Sequence, residues 1–271
     1  AVLSNCAFEI RELAKKLNIP AVETLMARGV MGDENPLFFG MLGMHGEFSA
    51  NMAAHETDLL ISLGARFDDR VTGRLDEFAS KAKVIHVDID PTSIAKLVVP
   101  DYPIVGDLKV TVKAMIEAIE SGENEFNDYT NWVELLRDYR EKEPLRYIDS
   151  NEVIKPQWPI QRVGQLLGAK AIISTDVGQH QMWTAQFYPF SYPRQWITSG
   201  GLGTMGFGLP AAMGVARALK GTDKVSINFT GDGSILMNIQ ELMTCVEYEL
   251  PVINIILNNN YLGMVRQWQT M

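Results

Sequence analysis

The stretch VSINFTGDGSILMNIQELMTCVEYELPVINIILNNN, residues 225–260, decides the fold of this chain. It opens with a β-branched apolar run at 225–230, passes through a Gly-Asp-Gly turn and continues as a helical pattern over about 234–249. Pro251 breaks that pattern, and a second apolar run at 252–257 ends in three asparagines. This order predicts a strand–turn–helix–strand unit whose two strands are parallel.

Polar residues follow both strands of this unit at the points where the strands end. Because parallel strands end on the same edge of a sheet, Asp232 and the asparagines at 258–260 are expected to converge there. Carboxylate and amide oxygens suit Mg²⁺, and helix N–H groups after Gly233 suit a phosphate. Either element alone is typical of a turn or a loop. Together they favour a site for a metal-held diphosphate.

The turn at 231–233 and the asparagine pair that follows it resemble the thiamine diphosphate signature of a large enzyme family. In that family the metal is bound by the aspartate, the second asparagine and a main-chain carbonyl two residues later. The resemblance therefore assigns Mg²⁺ to Asp232, Asn259 and the carbonyl of Tyr261. The segment LGMVRQWQ at 262–269 is similar to the one that follows the asparagine pair in acetohydroxyacid synthase, also called acetolactate synthase.

Composition is that of an ordinary globular protein with about two domains. The 271 residues are 46% hydrophobic and 21% charged, and the formal net charge of −9 argues against binding to a nucleic-acid backbone. No apolar run approaches the length of a membrane span. The two cysteines, Cys6 and Cys245, are far apart in sequence, which favours reduced thiols in a cytosol-like compartment. With the resemblance, the expected location is cytoplasmic, or organellar in a eukaryote.

The first 120 residues alternate between strand and helix patterns, which predicts a doubly wound parallel sheet. Several strands end in glycine or acid, at Gly64, Asp88 and Gly106-Asp107. Such ends can bind a nucleotide, or can simply be solvated. The expected elements are a helix at 7–19, a strand at 20–24, a long loop at 25–45, a helix at 49–58, a buried strand at 59–65, a strand at 83–90, a helix at 91–98, a strand at 103–107 and a helix at 108–121.

Four motifs in this region resemble the middle domain of acetohydroxyacid synthase, which binds FAD. They are TLMARG at 24–29, MLGMHG at 41–46, GARFDDRVTG at 64–73 and VDIDP at 87–91. The resemblance assigns FAD contacts to Thr24, Leu25, Gly43, Met44, His45, Gly64, Ala65, Arg66, Asp68, Arg70, Val71, Asp88, Ile89, Ser93, Gly106 and Asp107.

The flavin carries out no net redox chemistry in the main reaction of that family, so the resemblance implies FAD binding and not an oxidoreductase. Arg66 and Arg70 have the chemistry to recognise a diphosphate or a carboxylate, and equally to pair with the neighbouring Asp68 and Asp69. The family also has a glycine-rich turn against the flavin, which would precede Ala1.

An acidic, polar stretch connects the two α/β regions. Its segment NDYTNWVELLRDYREKEP has a helical period that places Trp132, Leu135, Leu136 and Tyr139 on one stripe. We expect a linker with a surface helix that Trp132 anchors to a domain. The predicted organisation is a middle domain at 1–122, a linker at 123–157 and an incomplete thiamine diphosphate domain at 158–271.

The last region begins with a predicted helix at 158–168 and a strand at 171–176. A second helix opens at once in 177–188, so that Gln179 and His180 are expected at the same sheet edge as Asp232. A glycine-rich loop within 196–219 then leads into a helix of small residues. From its position in the sequence alone, His180 is interpreted as a helix cap. A glycine-rich loop alone is a weak indicator of a binding site.

The resemblance adds two further segments to the site: VGQHQMW at 177–183 and GLGTMG at 201–206. Met205 matches a large side chain that bends the cofactor, and Trp268, with Arg70, matches residues of the substrate pocket. By residue type alone both Met205 and Trp268 fit a protein core. The thiamine diphosphate contacts implied in this way are Val177, Gly178, Gln179, His180, Gly203, Met205, Gly231, Asp232, Gly233, Ser234, Asn259, Tyr261, Leu262, Gly263 and Met264.

The resemblance implies a synthase that decarboxylates pyruvate and joins it to a second 2-keto acid, pyruvate or 2-ketobutyrate, at the start of branched-chain amino-acid synthesis. It further implies thiamine diphosphate, Mg²⁺ and FAD as cofactors, a homodimer or tetramer, and a small regulatory subunit. No catalytic residue is assigned within the chain, because the family's activating glutamate would lie upstream of Ala1. The chain alone is therefore predicted to be inactive, as a piece of a longer protein.

Two alternatives stay open at this point. One is another thiamine diphosphate enzyme, such as a pyruvate oxidase or a flavin-free catabolic acetolactate synthase. The motifs MLGMHG and GARFDDRVTG argue against it. The other is a non-catalytic nucleotide-binding scaffold, against which the presence of Asp232, Asn259 and Met205 argues.

Overall fold

The computed structural model describes residues 1–122 and 126–271 and divides into two compact units, Ala1–Leu145 and Arg146–Met271. Both units contain parallel sheets flanked by helices, so the predicted α/β class is confirmed. The domain bounds expected at residues 122 and 158 stay a prediction.

The first unit contains a two-stranded sheet and a three-stranded sheet, both parallel. Strand order is β1-β2 in the smaller sheet and β3-β4-β5 in the larger one. The elements are α1 (Ala7–Leu17), β1 (Ala21–Glu23), β2 (Phe38–Met41), α2 (Phe48–Glu56), β3 (Leu59–Leu63), α3 (Asp69–Thr72), β4 (Lys83–Asp88), β5 (Tyr102–Val105), α4 (Leu108–Glu120) and α5 (Thr130–Lys142).

The core of the first unit forms between helices that the sequence period predicts. Ile10 and Leu13 on α1 meet Val112 and Ile116 on α4, all of them buried. The surface helix expected in the linker is α5, and it packs against α2 in this unit. Trp132 packs on the core as expected, and the buried positions of α5 are Val133 and Leu136. Leu135, predicted on the same stripe as Leu136, is 39% exposed. Consecutive residues of a helix point in different directions, so Leu135 faces away from the core that Leu136 enters.

Two of the expected elements in the first unit are wrong. The helix predicted at 91–98 is a series of turns, because the Asp90 carboxylate accepts hydrogen bonds from the Thr92 N–H at 2.9 Å and its hydroxyl at 2.8 Å. This local bonding competes with a helix. The long loop predicted at 25–45 contains the four-residue, fully buried strand β2, which is too short to show a period between Pro36 and the glycines that follow.

The strand predicted to be buried at 59–65 is β3, and it is only partly covered. It lies at the edge of its sheet, and Leu59 is 42% exposed. A continuous apolar run indicates a strand correctly here and overstates its burial, because an edge strand has a neighbour on one side only.

The second unit contains one four-stranded parallel sheet in the order β7-β6-β8-β9. The chain runs from β6 outwards to β7 and then returns to the other side of β6 as β8. The order therefore reverses between β6 and β8, and such a switch point opens a crevice at the carboxyl ends of the strands. The elements are α6 (Gln157–Leu167), β6 (Ala171–Thr175), α7 (Gln179–Phe187), β7 (Trp196–Thr198), α8 (Gly208–Ala218), β8 (Val225–Gly231), α9 (Asp232–Ile235), α10 (Glu241–Glu247), β9 (Val252–Leu257) and α11 (Gly263–Thr270).

The helix expected over 234–249 begins two residues earlier and is interrupted. After α9 the chain tightens into a 3₁₀ turn at Leu236–Asn238 before α10 begins. The interruption coincides with a hydrogen bond in which Asn238 Nδ2 donates to the carbonyl of Gly206 at 2.8 Å. The tertiary contact of Asn238 thus accompanies a break that a helical period alone does not predict.

Candidate functional site

A pocket lies at the carboxyl edge of the four-stranded sheet in the second unit. The segments after β6, β8 and β9 line it together with the loop before α8, so the predicted convergence of Asp232 with the asparagine segment is confirmed. Of the fifteen residues matched to thiamine diphosphate, every one except Gly203 lines this pocket. The lining residues are Val177, Gly178, Gln179, His180, Trp183, Met205, Gly231, Asp232, Gly233, Ser234, Leu257, Asn259, Tyr261, Leu262, Gly263, Met264 and Val265.

Glycines bring the backbone close to the polar side chains of the pocket. A Cβ added at Gly231 would lie 2.9 Å from His180 Nδ1, and one added at Gly178 would lie 2.8 Å from His180 Cε1. A Cβ at Gly263 would overlap the side-chain amide of Gln179. A side chain at Gly178 or Gly231 would press on the buried His180 ring, and one at Gly263 would displace the Gln179 amide. A ligand in the pocket would therefore meet bare backbone at these positions.

His180 is the buried polar side chain most available to a ligand. It is 7% exposed, and its Nε2 atom has no hydrogen-bond partner among the described residues. Burial lowers the pKa of His180 to about 4, against the opposing influence of Asp176 and Asp232. The imidazole is therefore neutral near pH 7, and a bound polar group would satisfy its free ring nitrogen.

The three groups predicted to bind the metal belong to residues that all line the pocket. Asp232 begins α9 and is half-buried. The Asn259 side-chain oxygen accepts from the N–H of Tyr261 at 3.0 Å, so the asparagine side chain lies over its own loop. One carboxylate, one amide and one main-chain carbonyl form an oxygen set that suits Mg²⁺ beside a diphosphate. Within residues 1–122 and 126–271, no three histidine, cysteine or acidic side chains are grouped so that they could bind a metal ion by themselves.

The loop that carries Met205 is held from outside the pocket. Gly206 has φ +90°, and a Cβ there would lie 2.8 Å from both Asn238 Nδ2 and Met237 Cβ. Asn238 donates to the Gly206 carbonyl, which fixes the turn beside Met205. Gly203 lies two residues before Met205 and is not part of the lining.

Sequence reasoning missed Trp183, Leu257 and Val265 among the lining residues. Trp183 stands three residues after His180 on α7, and residues at that spacing share a helix face, so helical geometry could have indicated it. Helix α11 was also missed. Gln179 Nε2 donates to Gln267 Oε1 at 3.1 Å and ties α7 to α11. Trp268, the predicted substrate-pocket residue, is 50% exposed on α11.

The residues matched to FAD stand at the carboxyl ends of all five strands of the first unit. Thr24 and Leu25 follow β1, the 43–45 loop follows β2, and 64–66 follow β3. Asp88 and Ile89 lie at the end of β4, with Ser93 in the next turn, and Gly106 and Asp107 follow β5.

Backbone hydrogen bonds join these strand ends. Met44 N–H donates to the Arg70 carbonyl at 2.8 Å, and Gly106 N–H donates to the Asp88 carbonyl at 3.0 Å. The segments that carry the predicted FAD residues are therefore bonded to one another in pairs. Contact of these residues with FAD stays a prediction.

Arg66 and Arg70 are 63% and 69% exposed at the side chain, respectively. Arg66 Nε lies 3.6 Å from Asp68, and Arg70 Nη1 lies 2.9 Å from Asp69, so the surface pairing that the sequence left open is present. Burial, followed by the nearby Arg70 charge, lowers the pKa of His45. Two arginine side chains, each paired with a nearby aspartate, are thus exposed to solvent here.

Both units match profiles of one enzyme family. The profile "Thiamine pyrophosphate enzyme, central domain" matches residues 1–115, and "Thiamine pyrophosphate enzyme, C-terminal TPP binding domain" matches residues 176–271. Within the part of the chain that the structure describes, no helix has the length and apolar content to cross a membrane.

Whole-chain relatives agree with these profiles. The chain is 47% identical over its full length to the acetolactate synthase isozyme 3 large subunit of Escherichia coli, of which it covers 47%. It is 45% identical over its full length to the acetolactate synthase large subunit of Haemophilus influenzae, of which it also covers 47%. Identity to the chloroplastic acetolactate synthase 1 of Nicotiana tabacum is 45% over 98% of the chain and 40% of that protein. The chain thus spans about half the length of its curated relatives.

Proposed function

This chain belongs to the thiamine pyrophosphate enzymes as a homologue of acetolactate synthase large subunits, and we propose that the protein containing it decarboxylates pyruvate and joins the remaining two carbons to a second 2-keto acid. The product would be acetolactate from pyruvate, or acetohydroxybutyrate from 2-ketobutyrate, for branched-chain amino-acid synthesis. The observation that carries the proposal is the meeting of His180, Met205, Asp232 and Asn259 in one pocket at a sheet switch point, in a chain 47% identical to such synthases.

Thiamine diphosphate, when bound, supplies a carbon nucleophile and an electron sink for decarboxylation. The chain's part is to bind and orient it. Asp232, the Asn259 side chain and the Tyr261 carbonyl would hold Mg²⁺ on the diphosphate. His180, buried and neutral with a free ring nitrogen, would complete the polar lining around it.

The apolar residues of the pocket would hold the rings of the cofactor. Met205 enters from a loop that Asn238 fixes, and Trp183 and Leu257 line the same pocket. These contacts would keep the reacting groups in a productive geometry. Trp268, on the helix that follows the asparagine segment, would contact the second keto acid and favour the larger one.

FAD and subunit partners belong to the same proposal. The strand ends of the first unit offer glycine backbone, Asp88 and Asp107 for hydroxyl groups, and Arg66 and Arg70 for a diphosphate. We further propose a homodimer or homotetramer with a small regulatory subunit. The plant relatives are chloroplastic, so an organellar location follows for a eukaryotic source and a cytoplasmic one for a bacterial source.

The test is acetolactate formation from pyruvate by the full-length protein that contains this chain. The assay contains Mg²⁺, thiamine diphosphate and FAD, and omits each in turn. We expect acetolactate only when thiamine diphosphate and Mg²⁺ are present, and none from the 271-residue chain alone. Oxygen-dependent formation of acetate or acetyl phosphate would instead identify a pyruvate oxidase, and failure to bind thiamine diphosphate would indicate a non-catalytic scaffold.

A further inference from the structure

Asp176 is a fully buried carboxylate directly behind the pocket, and neither the metal set nor the cofactor contacts include it. It follows β6 and has no exposed surface. A buried carboxylate is costly unless donors surround it, so its partners indicate what it does.

Two donors from different chain segments bind the two carboxylate oxygens. Gly208 N–H donates to Oδ1 at 2.8 Å from the first residue of α8. The Thr230 hydroxyl donates to Oδ2 at 2.6 Å from the penultimate residue of β8. The second distance is in the range of an O–H group bonded to a carboxylate.

One side chain therefore joins three of the segments that form the pocket. Asp176 itself precedes the turn that carries Val177–His180, Gly208 follows the loop that carries Met205, and Thr230 precedes Gly231 and Asp232. These segments meet where the sheet order reverses, and the Asp176 N–H also donates to the Phe229 carbonyl of β8 at 3.2 Å.

Other contacts at the same point show how closely the segments fit. A Cβ at Gly208 would lie 2.6 Å from Asp176 N and 2.9 Å from the Thr175 carbonyl carbon. The Ser234 hydroxyl donates to the Val177 carbonyl at 3.2 Å, and so joins the segments that follow β8 and β6.

We propose that Asp176 is a positioning residue of the thiamine diphosphate site, acting as a hydrogen-bonded clamp that aligns the segments carrying His180, Met205 and Asp232. The proposal rests on the thiamine diphosphate binding that the proposed function requires. Asp176 does not touch the cofactor. It acts through the Gly208 N–H and the Thr230 hydroxyl, and its effect is on the affinity of the pocket.

The experiment measures the Kd of thiamine diphosphate at saturating Mg²⁺ in the cofactor-stripped full-length protein. Trp183 lines the pocket, so tryptophan fluorescence gives a direct signal. Thr230→Val removes one arm of the clamp with little change in volume, and Thr230→Ser keeps the hydroxyl. We expect Kd to rise about tenfold or more in Thr230→Val and to stay within about threefold in Thr230→Ser, at a temperature well below both Tm values.

Substitutions of Asp176 separate hydrogen bonding from charge. In Asp176→Asn the amide oxygen can accept from Gly208 N–H, and the amide N–H can donate to Thr230 Oγ1, so affinity is expected within about threefold of wild type. Asp176→Leu keeps the bulk and loses both bonds, and an increase in Kd of about tenfold or more is expected. If Asp176→Leu does not fold, the Thr230 pair decides the result.

A destabilised control shows what loss of stability alone does. Tyr188→Phe removes a hydrogen bond that the buried Tyr188 donates to the Gly168 carbonyl at 2.8 Å, away from the pocket lining. It should lower Tm and leave Kd unchanged. Wild-type Kd in Thr230→Val and Asp176→Leu would overturn the proposal, and so would an Asp176→Asn variant as weak as Asp176→Leu.

The unsubstituted protein separates this inference from the proposed function. Binding of thiamine diphosphate without acetolactate formation would reject the synthase activity and leave the clamp testable by Kd. Absence of thiamine diphosphate binding in the unsubstituted protein would reject both.

Discussion

In each unit the carboxyl ends of parallel strands form an edge, which we call the first edge in the first unit and the second edge in the second unit. The two edges differ in how far their polar groups are buried. In the second unit the strand order reverses, and buried polar groups such as Asp176, His180 and Thr230 support the pocket from within. In the first unit the order β3-β4-β5 runs in one direction, and the charged candidates Arg66 and Arg70 are mostly exposed. The pocket residues of the second unit are thus backed by buried polar groups, whereas Arg66 and Arg70 of the first unit are exposed to solvent.

This difference has an energetic consequence. A buried polar group that loses its partner keeps its full desolvation penalty, about 1–3 kcal/mol, whereas an exposed ion pair contributes about 0–1 kcal/mol. Substitutions behind the second edge should therefore change both stability and ligand affinity. Substitutions of the exposed Arg66 or Arg70 should change ligand affinity alone.

The largest effect is expected for Gly208→Ala, compared with Gly214→Ala on the same helix. A Cβ at Gly208 meets backbone atoms of Thr175 and Asp176, which cannot rotate away, so unfolding free energy should fall by about 3 kcal/mol. Gly214 is exposed in the helix interior with open space around it, so alanine should stabilise by about 0.5–1 kcal/mol. Urea unfolding measures both, and equal effects would show that the β6–α8 contact is not tight.

The pH dependence of stability provides the next test of the second edge. The folded pKa of His180 is about 4, below the usual 6.5, so the unfolded chain takes up a proton that the folded chain excludes. The stability gained by keeping this ring neutral is present above pH 6.5 and is lost as pH falls towards 4, by about 3 kcal/mol in total. His180→Gln should flatten this part of the profile in cofactor-free protein. Urea unfolding of both proteins over this pH range measures the profile, and equal slopes would show that His180 is not the responsible group.

The sequence predicts the second edge well because its signals are local. A glycine-acid-glycine turn and an asparagine run, each at the end of an apolar run, place Asp232 and Asn259 on one edge once the strands are parallel. The α/β class follows from the alternation of such runs. Gln179 and His180 follow for the same reason, since they come immediately after β6.

The parts that sequence reasoning missed depend on contacts between distant segments. Nothing in the local pattern links Asp176 with Thr230, which are 54 residues apart, or Asn238 with the Gly206 carbonyl. The turns at 91–98 replaced a predicted helix because the side chain of Asp90 bonds locally, which a hydrophobic period does not detect. Short buried strands such as β2 carry too few residues to show a period.

Asp232→Ala tests the metal set and should have the third-largest effect. Loss of the one carboxylate proposed for Mg²⁺ should raise the Kd of thiamine diphosphate about 100-fold at fixed Mg²⁺, equivalent to about 2.7 kcal/mol. Asp223→Ala is the matched control, because Asp223 is 77% exposed and pairs with Lys170 at 3.5 Å on the surface. Unchanged binding in Asp232→Ala would remove this residue from the metal set.

The smallest effect is expected at the first edge, where Arg70→Ala is compared with Arg74→Ala. The two side chains are 69% and 70% exposed, and each pairs with a neighbouring acid, so neither substitution should change the free energy of unfolding by more than about 0.5 kcal/mol. If Arg70 binds the flavin diphosphate, its loss should weaken FAD binding about tenfold, while Arg74→Ala binds normally. Flavin fluorescence titration of the cofactor-free protein measures this. Equal FAD affinity in the two variants would mean that Arg70 is only a surface partner of Asp69.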